Sequence, residues 1–221
     1  MSQTLQLEID PLRVSGEVVG SVLVAMDILV YSREEYPKEP AEPVCLIAAA
    51  HTNNLSSISK AYTKLYVAGR PSAAEEKMIM RDFSTYLDMF EGGTLAVHYG
   101  ASDSPDEGFD VPYLLARAKN EHPELYPALR RALGRFKRHD TCLYIKENTN
   151  LPSAELDYVE SYYGLARKTG AIIPDVKGAM DDYWRSGDTG ALKNSLTNVY
   201  NCLRIAQSQI KKTICCTDIP L

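Results

Sequence analysis

The chain lacks the motifs by which a sequence usually declares its chemistry. Its 221 residues contain no G-x-S-x-G elbow, no G-x-x-x-x-G-K-[ST] loop, no H-E-x-x-H and no G-x-G-x-x-G. Those absences remove the nucleophile-elbow, phosphate-loop, zincin and dinucleotide-binding readings, and no cofactor is expected. The four histidines (His51, His98, His122, His139) stand far apart without metal-ligand spacing, so no metal is expected either. Five cysteines are an odd number in no regular pattern. They read as free thiols in a reducing compartment rather than as a disulfide framework. The longest apolar stretch, Val18 to Tyr31, is broken by Gly20, Ser21 and Asp27 and is too short to span a bilayer. With no basic, cleavable apolar leader at the start, the expectation is a cytoplasmic protein that does not insert into membranes.

What is present is ordinary globular composition, 45% hydrophobic and 24% charged, with an uneven distribution of sign. Residues 1–50 hold eight acids and three bases, and the rest of the chain is balanced at twenty-one of each. Glu34 to Pro43, with three prolines and four glutamates, reads as a linker. This divides the chain into an acidic N-terminal segment, 1–42, with possible strands and a role in assembly, and a helical domain, 43–221. Leu5 to Ile9 alternates as a strand would, and Val18 to Tyr31 fits a buried strand pair or a helix.

Beyond the linker the signals are helical. Asn54 can cap a helix through Ile58, Tyr62 and Leu65 that Gly69-Arg70-Pro71 ends. Ser72-Ala-Ala-Glu75 is a capping box for a helix carrying Ile79, Phe83, Tyr86, Leu87 and Phe90 on one side. Thr94 to Tyr99 is ambiguous. Val111 to Asn120 forms a short helix, Pro123 opens another, Pro152-Ser153 starts one with Leu156, Val159 and Tyr163 inward, and Pro174 starts a further one. Leu192, Leu196, Val199, Leu203, Ala206 and Ile210 follow the cleanest helical spacing in the chain. The predicted fold class is mainly α, a multi-helix domain with a possible short β element near the N-terminus.

The candidate site is basic. Arg130, Arg131, Arg135, Lys137 and Arg138 fall within nine residues. On one continuous helix they occupy the side opposite Leu129, Ala132, Leu133 and Phe136. Gly134 lies in the middle of that stripe, where a missing side chain lets an anion approach the backbone. Tyr162 with Arg167 and Lys168 adds the ring-plus-cation pairing of a single-stranded nucleic-acid groove. A solvated helix face is the alternative reading of the same charges.

Ile79-Met-Arg-Asp-Phe-Ser-Thr-Tyr86-Leu, followed by Leu95-Ala-Val-His-Tyr-Gly100, resembles part of the nucleoprotein core of non-segmented negative-strand RNA viruses, paramyxoviruses in particular. Glu124 to Leu129 is similar to the aromatic-proline helix start of such cores, and Leu151 to Tyr163 to the proline-started helix that follows. The likeness covers about residues 58–170. It implies RNA packaging by a helical polymer, without catalysis and, for a viral protein, in the virion. The expectation is therefore a non-enzymatic, self-assembling protein that packages single-stranded RNA as a nucleocapsid does. Arg130, Arg131, Gly134, Arg135, Lys137, Arg138, Tyr162, Arg167 and Lys168 would contact the RNA, a role resting on the charge stripe and not on the resemblance. The alternative is a helical adaptor or regulator that binds another protein.

Overall fold

A computed structural model describes residues 22–34, 36, 37, 39–53, 61–100, 108–167, 173 and 175–217, with side chains as far as 211. Its centre is a five-stranded mixed sheet. The strands are β1 (Val22–Val30), β2 (Val44–Thr52), β3 (Tyr62–Val67), β4 (Gly93–Val97) and β5 (Phe136–Asp140), in the order β3-β2-β1-β4-β5. β2 runs antiparallel to β1 and β3, whereas β1, β4 and β5 are mutually parallel. The pairing of β1 with β2 spans position 42, where composition suggested a boundary. Leu5 to Ile9 and the Asn54 cap lie outside the described residues.

Helices cover both faces. On one side are α1 (Ala73–Asp88), α2 (Asp110–Glu121) and α3 (Tyr126–Gly134), and on the other α6 (Val176–Ser186) and α7 (Gly190–Thr217). The strand period of two sorts the side chains between them. Val24, Met26, Ile28, Ile47, Ala49, Leu95 and Val97 pack with Ile79, Phe83 and Leu133. Leu23, Ala25, Leu46, Ala48, Ala50 and Ala96 pack with Met180, Leu192, Leu196 and Leu203. Two short helices, α4 (Thr141–Asn148) and α5 (Leu156–Tyr162), close a smaller cluster around Ile145, Val159 and Ile205.

The fold is thus mixed α/β, and the mainly α expectation is corrected at three places. β2 is buried along nearly all its length, so it shows no alternation, and its Ala48-Ala-Ala50 run carries helix propensity that pairing on both sides overrides. Tyr62 and Leu65, read as helical, lie on β3. The basic stretch is no continuous helix: α3 stops at Gly134, Arg135 turns, and Phe136 begins β5 beside β4. Placing Phe136 against Phe90, with ring centroids 6.3 Å apart, gains more than extending a helix through an exposed glycine.

Other signals hold. Ser72 caps α1 by accepting from Glu75 N, although Glu75 reaches back to Gly69 N instead of closing the box on Ser72. The C-terminal stripe is buried from Leu192 to Ala206 and packs Ile210 at its margin. Among the described residues no helix is long and apolar enough to cross a membrane.

The connection from β1 to β2 is fixed by a charge buried under it. Glu76 is wholly buried and accepts from Val44 N at 2.7 Å, from Arg117 Nε at 2.9 Å and Nη2 at 2.7 Å, and from His122 Nε2 at 2.9 Å. Arg117 Nη1 then donates to the carbonyls of Pro40 and Ala41, each at 3.0 Å. Removing one member of such a network strands the others out of water. Glu76→Ala is expected to destabilise the protein by about 3–5 kcal/mol. Urea denaturation would measure this, and a loss within about 0.5 kcal/mol, the scale of surface changes, would contradict it.

Candidate functional site

β1 and β4 are paired from Val22 and Gly93 to Ala25 and Ala96, after which β4 ends and β1 continues alone beside β2. The chain leaves β1 towards β2 on one side and β4 towards α2 and β5 on the other. Such a fork at the carboxyl ends of parallel strands is where open α/β sheets form ligand crevices. A cavity of about 580 Å³ opens there.

Four acids line it: Glu155 and Asp157 at its exposed margin, and Asp27 and Asp110 deeper in. Asp27 follows Leu23 and Ala25 on the α7 side of β1. It accepts from Ser195 Oγ at 2.5 Å and from Asn198 Nδ2 at 3.4 Å, and both donors are on α7. Asp110, the first residue of α2, is buried and accepts Ile28 N at 3.3 Å. Burial pushes the Asp27 carboxyl up to about 6, against the opposing pull of Ser195, Asn198 and Arg167. Asp110 is pushed well above the usual carboxylate range, first by burial and then by Asp27; the Ile28 N–H only partly offsets this. Both shifts run the same way: burial and mutual repulsion favour the protonated form of the pair.

The turn after β4 forms one wall. Tyr99 adopts φ 63°, rare for a large side chain. Asp140, at the N-cap of α4, holds it there, accepting from Tyr99 N at 3.0 Å and Gly100 N at 2.8 Å and also from Cys142 N and Leu143 N. A Cβ at position 100 would stand 2.8 Å from Asp110 Oδ2, so only glycine fits between the two. His98 Nε2 donates to Ala154 O at 2.9 Å, and Nδ1 lies 2.8 Å from Thr141 Oγ1. Burial lowers this imidazole to about 4, which keeps it neutral.

The rim is aromatic. Tyr36, 53% exposed, meets Phe109 and Tyr99 edge-on at centroid distances of 5.2 and 6.1 Å. Lys146 Nζ stands 5.2 Å above the Tyr99 ring. Asn194, Asn198, Cys142 and Cys202 also line it, with apolar residues such as Met26, Ile28 and Leu156. The arrangement offers ring faces at the mouth, a cation beside them, and amide and carboxyl groups within. Among the described residues no three His, Cys, Asp or Glu side chains gather to hold a metal ion.

None of the residues proposed from the basic stripe lines this cavity. Arg130 and Arg131 are exposed on α3, and Lys137 is exposed on β5 with Arg138 half-buried beside it. Arg135 is tied to Asp88 and to Leu87 O. Tyr162 lies on α5 against Tyr163, and Arg167 is paired with Glu160 and Asn198. Lys168 lies outside the described residues. Sequence reasoning passed over Asp27, Asp110, Tyr99 and Asn198. Only Asp27 left a trace, as the acid interrupting the apolar stretch that became β1.

No protein-family model matches the sequence, and no curated protein is significantly similar to it. The fold does have a solved counterpart. The family B DNA polymerase of the hyperthermophilic archaeon Pyrobaculum calidifontis matches over 97% of this chain, with a TM-score of 0.61 and 19% identity. The chain spans 28% of that polymerase's length. At this identity the likeness establishes the fold alone. It overturns the nucleoprotein resemblance and, with it, the reading as a self-assembling RNA-packaging capsid protein.

The carboxyl pair has a stability consequence whose sign is fixed. A folded-state pKa above the unfolded value favours the native state when the group is protonated. The Asp27 penalty is therefore relieved below the unfolded value near 3.8 and fully present above about 6. Asp110 acts in the same direction. Asp110→Asn keeps an acceptor for Ile28 N and removes a charge from beside Asp27. It is expected to raise the melting temperature relative to the unaltered protein increasingly as pH rises from 5 to 8. Thermal melts of both across that range would test this, and a difference independent of pH would refute the raised pair.

Proposed function

We propose that this protein binds a nucleic-acid strand in the fork cavity, with the strand's end between the aromatic rim and the Asp27–Asp110 pair, and that it does so without turnover. The observation that carries the reading is the juxtaposition at the β1–β4 fork of an aromatic rim with two buried carboxyls. The polymerase likeness supports the choice of nucleic acid over other ligands. Tyr36, Tyr99 and Phe109 supply faces on which an unpaired base stacks, and Lys146 supplies a charge for its phosphate. The Asp27 and Asp110 carboxyls offer polar groups to the edge of the bound nucleotide.

Binding rather than hydrolysis follows from the donor set. Metal-assisted phosphoryl chemistry collects anionic oxygens around cations. Here burial resists the ionised form of Asp27 and Asp110, Asp27 is occupied in accepting from Ser195 and Asn198, and among the described residues no three His, Cys, Asp or Glu side chains gather to hold a metal ion.

Fluorescence anisotropy with single-stranded DNA and RNA oligonucleotides tests the reading. The unaltered protein is expected to bind. Tyr99→Ala should weaken binding about tenfold, since one base–ring stack is worth about 1–3 kcal/mol. The oligonucleotides should keep their length on denaturing gels after incubation with Mg²⁺ or Mn²⁺. Progressive shortening would overturn binding without turnover, and affinity indifferent to Tyr99 would overturn the site.

A further inference from the structure

The cavity leaves the basic corner between α3 and β5 without a role. Arg130, Arg131 and Lys137 are exposed there, and none of them enters an ion pair among the described residues. The acids nearest in sequence are engaged elsewhere, Asp140 with four backbone N–H groups and Glu124 with Lys77, and Asp88 is tied to Arg135. Gly134 sits between the cations, and a Cβ built on it would meet nothing within 4 Å. The surface is open to the backbone itself. β5 is moreover an edge strand, whose outer side pairs with no other strand among the described residues. Unpaired N–H groups on such an edge are donors waiting for an acceptor.

We infer that this corner holds the phosphate backbone of a nucleic-acid duplex whose single-stranded end enters the cavity. The inference rests on the strand-binding reading and adds a second contact to it. The large hydrophobic side chains that are exposed, Tyr36, Tyr62, Met89, Tyr158 and Tyr162, all lie off α3 and β5. The corner thus offers charge and backbone donors but no exposed ring on which an unpaired base could stack. That chemistry suits a helix whose bases already stack on one another and whose phosphates face outward. The distance is suitable. Five β5 residues at about 3.3 Å each lead from the corner to Asp140, the cap of the helix that carries Lys146 into the cavity. This reach of about 17 Å corresponds to about five base steps of 3.4 Å. A chain with a net charge of −5 repels polyanions at long range, so a local surplus of cations on the approach to the cavity is what such binding needs.

The test uses the full chain, a DNA or RNA duplex bearing a single-stranded tail, and the tail strand alone, with affinity read by anisotropy over a salt series. The double variant Arg131→Glu with Lys137→Glu, whose fold is checked by circular dichroism, is expected to bind the tailed duplex about tenfold or more weakly. Its slope of log K against log[salt] should be shallower by about 1.8, from about 0.9 for each of two phosphates that the variant leaves unneutralised. Its affinity for the tail alone should be unchanged. Tyr99→Ala, in contrast, should weaken both ligands. If the charge reversal leaves the tailed duplex unaffected, or weakens the tail equally, the corner does not hold a duplex, while a Tyr99-dependent tail still supports the cavity. If neither ligand binds the unaltered protein, the strand-binding reading falls and this inference falls with it.

Discussion

One carboxylate organises the functional end of this molecule. Asp140 accepts four backbone N–H groups, two from the turn that leaves β4 and two from the first turn of α4. It thereby ends β5, begins α4 and holds Tyr99 in a conformation that a tyrosine does not choose. Charge-assisted bonds of this kind are about twice as strong as neutral ones, and four converging on one group outweigh a backbone strain of order 1–3 kcal/mol. The position of the Tyr99 ring, the close approach of Gly100 to Asp110 and the start of the helix that carries Lys146 all follow from that one group. The cavity wall is in this sense a consequence of a helix cap.

The second buried network works differently. Glu76, Arg117 and His122 lie between α1 and α2, remote from the fork, and every polar atom they direct at the β1–β2 connection finds a partner there. Tyr113 adds its hydroxyl, donating to Glu42 O at 2.7 Å. Together they fix a proline-rich connection that has few apolar side chains of its own, and that connection carries Tyr36 to the rim. A buried ion pair adds little to net stability compared with apolar residues of the same shape, but it is specific about what lies against it. The segment that composition marks as a linker is therefore held in place by a charge buried beneath it.

The parts of the fold legible in sequence are those whose cause is local. The Ser72 cap, the stripe from Leu192 to Ala206 and the loop from Glu34 to Pro43 each depend on residues within a few turns of one another, and each is where it was expected. β2, β3 and β5 depend on partners far along the chain. β2 falls unremarked inside the segment assigned to a helical domain, because an alanine-rich run apolar on both faces shows no strand alternation. β5 reads as a helix because Arg130 to Arg138 keeps a helical phase across a glycine at which the backbone in fact changes direction. The site was illegible for the same reason. Asp27 and Asp110 are brought together only by the divergence of β1 from β4, and no spacing in the sequence records that event. The basic cluster was visible because it is contiguous in sequence, and contiguity says nothing about which surface lies next to a cavity.

The distribution of strain separates the fork from the rest of the protein. Elsewhere the buried charges are compensated, Glu76 by Arg117 and Glu160 by Arg167 and Asn201. At the fork two buried acids, Asp27 and Asp110, lie close together with no ion pair to either among the described residues, a tyrosine sits at positive φ, and a glycine is required because any larger residue would strike a carboxyl. The acids and the positive φ each lower stability, and each could be relieved by a single substitution: an amide for either acid, or a glycine for Tyr99. A chain under pressure for stability alone would lose them independently, since they do not stabilise one another. Their coincidence within one 580 Å³ cavity is the ground for proposing a binding site there. The basic corner carries no such strain, because exposed cations cost the fold almost nothing. The proposal for the cavity thus rests on energetic grounds, whereas that for the corner rests on charge and position.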